Sequence, residues 1–160
     1  MIIYALIPLR TGSIRIKNKN FIKVKKKPLY FHALNQTLKS KLIKKVFIAT
    51  KSKKVKIKHK KLSIFKRSKK SNNKKSSTEI VIGEFLKNNF CDYLVLIQAT
   101  NLFIKAKHID LAIKKLINNR KKYDSLLSVV KSKYLIWQQN KDLIISKNYN
   151  YKKRPRSQDI

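Results

Sequence analysis

Three short apolar runs constrain this chain more than any other feature: IIYALI (2–7), KVFIAT (45–50) and DYLVLIQAT (92–100). Each is continuous, where a half-buried strand would alternate apolar with polar residues. Such a strand offers apolar side chains to both faces of its sheet, as strands do in a parallel sheet covered by helices. Helical patterns separate the runs. Pro28 stands where a first helical turn begins, and Tyr30, Ala33, Leu34, Thr37 and Leu38 then recur on one face. Ser76 and Glu79 have the spacing of a capping box, with Val81, Phe85 and Leu86 behind it. Ile109, Ala112, Ile113, Leu116 and Ile117 make a third stripe, and LSIF (62–65) and DSLLSVV (124–130) read as further strands. The alternation predicts an α/β fold, a three-layer sandwich with a mainly parallel sheet whose ligands bind beyond the strand carboxyl ends. The loop after the first run, Thr50 and Gln98 then converge on one edge.

Charge competes with this pattern. Lys and Arg number 41 against 7 Asp and Glu, a formal +34. Attraction to a polyanion such as nucleic acid is one reading. Another is coding bias: Lys, Asn and Ile are abundant while Gly numbers only 2, as AT-rich codons dictate. Under either, like charges oppose compaction, and screening salt stabilises the domain. The apolar fraction of 42% supplies a core and separates the chain from a disordered basic tail. At 160 residues one domain is expected. The lone cysteine, Cys91, precludes an internal disulfide and reads as a buried, unreactive thiol. No run reaches membrane-spanning length and no secretory leader is visible, so a cytoplasmic location is expected.

The loop IPLRTGSIRIKNKNF (7–21) concentrates groups suited to phosphate. Gly12 admits close backbone approach, Ser13 donates a hydrogen bond, and Arg10, Arg15 and Lys19 bring fixed positive charge. Neither a Walker-type nor a dinucleotide glycine pattern is present. An ordinary solvated basic loop has the same composition. Between Lys51 and Lys75 about half the residues are basic, which reads as a solvated face or as a nucleic-acid surface; its only aromatic, Phe65, is too little for a base-stacking platform.

The order of residues in the loop resembles the N-terminal signature of the acylneuraminate cytidylyltransferases, the CMP-sialic acid synthetase family, approximately I-P-A-R-x-G-S-K-x-I-P-x-K-N. Pro8, Arg10, Gly12, Ser13, Ile16, Lys19 and Asn20 match in register. Similarity continues through KKPLYFHAL, KVFIAT, KRSKKSNNKKSSTE, VLIQATN and KRPRSQD. The resemblance implies a nucleotide-diphospho-sugar transferase-like, Rossmann-like fold and a reaction in which a sugar-acid hydroxyl attacks the α-phosphorus of CTP. It implies that Arg10, Gly12, Ser13, Lys19 and Asn20 cradle the nucleotide, with Arg10 and Lys19 catalytic. Arg67, Ser76, Ser77 and Thr78 would read cytosine, and Gln98, Arg156 and Gln158 would face a nonulosonic sugar acid. Magnesium is implied as cofactor, with no ligand to nominate here, and the biosynthesis of cell-surface polysaccharide as the setting.

The departures are specific. Ile14, Lys17, Lys26, Lys51 and Lys74 replace the family's lysine, proline, glycine and two aspartates, and QATNL stands for Q-P-T-S-P. The family pattern continues beyond R-R-Q-D into a segment with a magnesium-binding aspartate and much of the dimer contact, so a domain without that segment is expected. Asp92, Asp110, Asp124 and Asp142 fall at element boundaries, where capping and turn roles suffice. Three functions stay open: an active sugar-acid cytidylyltransferase, a nucleotide-binding domain of the same fold without catalysis, and a basic nucleic-acid-binding module.

Overall fold

Apolar run and strand coincide at the start of the chain. In the computed structural model, which describes residues 1–10, 16–73, 76–131, 134–153 and 155, β1 (Ile3–Pro8) is followed by a small hairpin of β2 (Lys23–Val24) and β3 (Lys27–Pro28), then α1 (Leu29–Leu38) and β4 (Lys45–Thr50). Next come β5 (Leu62–Lys66), α2 (Thr78–Leu86), β6 (Tyr93–Leu96) and α3 (Ala106–Asn118). A second hairpin, β7 (Trp137–Asn140) and β8 (Leu143–Ser146), is followed by a 3₁₀ turn (Tyr151–Lys153). The chain divides into two compact units, Met1–Ser125 and Leu126–Ile160.

In the first unit the sheet order is β5-β4-β1-β6, with every pairing parallel. The pleat sorts the side chains. Ile3, Ala5 and Ile7 of β1 join Val46 and Ile48 of β4 on one face, where Tyr30, Ala33 and Leu34 of α1 and Ile109 and Ile113 of α3 cover them. Leu6, Phe47 and Ala49 point the other way, onto Val81 and Phe85 of α2. This is the expected three-layer sandwich, and continuous apolar runs are what its inner strands require. Phe85 is an aromatic hub, edge-on to Phe47 at 4.8 Å and to Phe65 at 5.3 Å between ring centroids.

Scarce carboxylates join the elements. Asp110 on α3 accepts from Ser40 Oγ at 2.5 Å and from the Lys41 and Leu42 N–H groups at 3.2 and 3.4 Å, tying α3 to the turn before β4. Asp92 accepts the Ile2 N–H at 2.5 Å and lies 4.0 Å from the N-terminal amine. Asp92 thus fills the boundary role expected of it through a backbone hydrogen bond, whereas Asp110 lies inside α3 and is a tertiary tie instead of a cap or turn residue.

Three local expectations are corrected. Residues 124–130 form no strand; Leu127, Val129 and Val130 are exposed, and an apolar run becomes an inner strand only where both of its faces are covered. The N-cap of α2 is Ser77, one residue later than the Ser76–Glu79 spacing implies; the Ser76 hydroxyl donates to the Lys70 carbonyl, and the Glu79 carboxyl is lowered first by a hydrogen bond to Ser77. The stretch from Lys51 to Lys75 is only partly a solvated face. Val55 and Ile57 pack against the core, and Arg67 and Ser71 are buried.

The second unit holds the β7–β8 ladder, whose two-residue turn, Lys141 and Asp142, begins with φ 51° at Lys141. Trp137 meets Tyr149 edge-on at 5.6 Å, and Asn148 bridges Tyr134 and Ile136 through its side-chain amide. Among the described residues no helix is long and apolar enough to cross a membrane.

The first hairpin carries the clearest backbone strain. Its two-residue turn consists of Lys25 and Lys26 with φ of 47° and 64°, where hairpins of this kind favour Asn-Gly. His32 of α1 meets the Val24 carbonyl at 2.9 Å and seats the helix on the hairpin. A Lys26→Gly substitution is expected to stabilise the protein by about 1 kcal/mol, since a side chain costs roughly that in the left-handed region. Thermal unfolding followed by far-ultraviolet circular dichroism measures it; an unchanged or lower midpoint refutes the strain assignment.

Candidate functional site

A parallel sheet leaves its carboxyl edge open for ligands where neighbouring strands send their chains in opposite directions, and β1 and β6 form such a place. From β1 the chain winds outward to β4 and β5, then returns across β1 to β6. The ladders continue past the strand ends: Leu9 N–H donates to the Ala49 carbonyl at 2.9 Å, and Ile97 N–H to the Leu6 carbonyl at 3.0 Å. Arg10 and Gln98 therefore emerge side by side. Between them opens a hollow of about 250 Å³.

Its described walls come from five segments. Pro8 ends β1 and Arg10 follows it, Lys19 and Asn20 belong to a 3₁₀ turn (Lys19–Phe21), Arg67 follows β5, and Ser76, Ser77 and Thr78 open α2. Gln98, Ala99 and Thr100 follow β6, and Val81 forms an apolar floor. Asn20 is buried and its Nδ2 donates to the Arg10 carbonyl at 3.0 Å, so the turn holds the backbone that presents Arg10. Phe21 fixes that turn from behind by packing edge-on against Tyr30 at 5.6 Å.

Electrostatics mark the hollow as a place for anions. Arg67 is only 3% exposed, and its Nε is buried without a hydrogen-bond acceptor. Burial holds its guanidinium below the usual range, repulsion from Arg10 adds to this, and Glu84 opposes it. Arg10 and Lys19, with hydroxyls and a helix start in the same wall, can cradle phosphate, and Arg67 adds a buried guanidinium donor.

The structure thus gathers Arg10, Lys19, Asn20, Arg67, Ser76, Ser77, Thr78 and Gln98 around one cavity. Gly12, Ser13, Arg156 and Gln158 lie outside the described residues. Thr50, expected on the same edge, is not among the described lining residues; it is buried at the end of β4, and its Oγ1 accepts the Ser52 N–H at 3.0 Å. Sequence reading missed Val81 and Ala99 as wall residues, because an apolar position next to a polar site carries the same pattern as any core position. It also missed Glu84. Cys91 is half-buried, and burial, with Asp92 adding, pushes its thiol up, away from nucleophile chemistry.

A family model described as cytidylyltransferase matches residues 4–160, nearly the whole sequence. The chain belongs to the cytidylyltransferase family. Comparison with curated proteins gives no significant match. Among solved structures, the chain is similar to a CMP:2-keto-3-deoxy-manno-octonic acid synthetase complexed with CTP, at 18% identity and TM-score 0.63, over 75% of this chain and 49% of that one. It is also similar to the 2-C-methyl-D-erythritol 4-phosphate cytidylyltransferase of Francisella tularensis, at 15% identity and TM-score 0.65, over 94% and 67%. A cytidylyltransferase from Leptospira borgpetersenii matches at 19% identity and TM-score 0.57, over 75% and 50%. At these identities the likeness establishes the fold. The chain spans about half the length of the first and third of these structures and two thirds of the second.

The magnesium that such a family implies does not fit the residues described here. Divalent magnesium is held through carboxylate and other oxygen ligands, whereas the described lining offers three cations, hydroxyls and amides without a carboxylate. Among the described residues no three His, Cys, Asp or Glu side chains cluster to hold a metal.

If the cationic wall is the anchoring element, inorganic pyrophosphate should raise the melting temperature through preferential binding to the native state. Arg10→Ala should weaken that binding roughly ten- to a hundredfold, as expected for losing a charged hydrogen bond of about 1.5–3 kcal/mol. Calorimetric titration measures this; equal affinity in the variant would remove Arg10 from the cradle.

Proposed function

We propose that this cytidylyltransferase domain binds CTP in the hollow between β1 and β6 and transfers its cytidylyl group to the hydroxyl of a nonulosonic, sialic-acid-like sugar acid, releasing pyrophosphate. The observation that carries the reading is the convergence of Arg10, Lys19, Arg67, Ser77 and Gln98, from separate segments, on one hollow at the carboxyl edge of a parallel sheet. The order of the residues in Pro8–Asn20 supports the neuraminate branch.

In this reading Arg10 and Lys19 lie along the triphosphate. The acceptor hydroxyl oxygen forms a bond to the α-phosphorus and gives up its proton to solvent, while the bond from that phosphorus to the α,β-bridging oxygen breaks and the leaving pyrophosphate carries away the electron pair. Charge grows on the β-phosphate side as that bond opens, and fixed cations stabilise it without reorganising. Asn20 acts through the Arg10 backbone by holding it in place. Arg67 donates to the base together with the Thr78 hydroxyl, while the Ser76 hydroxyl, given to the Lys70 carbonyl, and Ser77, bonded to Glu79, brace this wall. Gln98, just past the end of β6, is left to meet the acceptor.

A second reading, nucleotide binding without turnover, is favoured by one observation: the described lining has no carboxylate to serve as a base or metal ligand. A nucleic-acid role for the Lys51–Lys75 stretch is disfavoured, because its only aromatic, Phe65, packs against Phe85 and is withdrawn from base stacking.

Purified protein should bind CTP more tightly than ATP once added salt suppresses unspecific attraction. Equal affinities that fall together with salt would overturn the proposal. Pyrophosphate release on adding CTP and N-acetylneuraminic acid, followed by a coupled phosphate assay, separates catalysis from binding alone.

A further inference from the structure

Glu84 is one of 7 acidic residues in the chain, and it faces inward from α2 toward the segment that carries Arg67. Its Oε1 accepts the Ser68 N–H at 2.7 Å, immediately after Arg67. The Ser68 hydroxyl accepts the Ser71 N–H at 3.2 Å, and Ser71 is fully buried, so this short turn is fastened from within. Burial on its own would raise the Glu84 carboxyl, but hydrogen bonds from Ser71 and Ser68 and the charge of Arg67 outweigh it and leave it below the ordinary range, ionised at neutral pH.

Arg67 therefore feels the repulsion of a like charge, Arg10, and the attraction of an opposite one, Glu84. Removing the carboxylate would change its character. Without a counter-charge, a buried guanidinium beside Arg10 is a cation in search of phosphate. Beside Glu84 its charge is offset, and it becomes a directional donor suited to a neutral acceptor such as the carbonyl of a pyrimidine base. Arg10 and Lys19 remain for the phosphates.

We infer that Glu84 is a positioning residue for nucleotide choice: by holding the Ser68 N–H and compensating Arg67, it directs that guanidinium to the base of the nucleotide and away from the triphosphate. This rests on the CTP reading above, and the two fail in different ways.

The experiment compares wild type, Glu84→Gln and Glu84→Asp for affinity toward CTP, ATP and inorganic pyrophosphate by calorimetry in added salt, with melting temperatures in parallel. Glutamine keeps an oxygen for the Ser68 N–H and loses the charge, so the preference for CTP over ATP should fall about tenfold while pyrophosphate affinity holds within about threefold. Aspartate keeps the charge and should retain most of the preference. The inference is overturned if Glu84→Gln keeps its CTP preference, if CTP and pyrophosphate binding fall together, or if that variant fails to fold, since each assigns the carboxylate to the fold alone. A wild type that fails to prefer CTP refutes the underlying reading instead, without reference to any variant.

Discussion

Two parallel ladders grip β1, one from β4 and one from β6, and the rest of the first unit is arranged by that grip. Their hydrogen bonds run past the last strand residues, through Leu9 on one side and Ile97 on the other, so the chain leaves the sheet at a fixed height on both. A cationic side chain at residue 10 and an amide at residue 98 can face one hollow only because the backbone beneath them is held this way. The frame is apolar and stands on both faces of the sheet. Its burial carries the cost of the repulsion that the basic surface imposes.

The few acids are used in a manner that the net charge hides. In a chain with 34 excess positive charges one would expect each carboxylate to sit among lysine ammonium groups as a counter-ion. Asp92, Asp110 and Glu84 instead accept backbone N–H groups, at a strand entry, at a helix-to-loop junction and beside the buried Arg67. A hydrogen bond to an ionised acceptor at a fixed backbone site contributes more than an exposed ion pair, which screening and side-chain entropy reduce to little. Bulk attraction to polyanions and the internal architecture are thus separate uses of charge in this protein.

Much of this was legible in the sequence. Continuous apolar runs gave the positions of β1, β4 and β6, and the stripes over Tyr30 to Thr37 and Ile109 to Ile113 gave the faces of α1 and α3, because burial on two faces and burial on one leave different periods. Arg10 and Gln98 were readable because they follow strand ends in a parallel sheet, whereas Lys19, Asn20, Arg67 and Ser76 to Thr78 were legible only through the resemblance of their motifs to a known family. Other features were not readable. DSLLSVV has the composition of an inner strand, yet composition does not say whether neighbours cover it. Ser76 and Ser77 are adjacent and both can cap, so the choice between them turned on the Lys70 carbonyl six residues upstream, a contact local spacing does not encode. Glu84 lies in a helix at a position that any solvated residue could fill; its meaning comes from Ser68 and Arg67, brought near only by the packing of α2 on the sheet.

The single tryptophan, Trp137, belongs to the C-terminal hairpin unit, where Tyr149 and Tyr151 flank it. Indole fluorescence of this protein therefore reports directly on that hairpin, while the sandwich and its hollow contribute tyrosine signals alone. An emission-based denaturation curve would follow the melting of a two-stranded ribbon, and reading its midpoint as the stability of the parallel-sheet unit would treat two compact units as one.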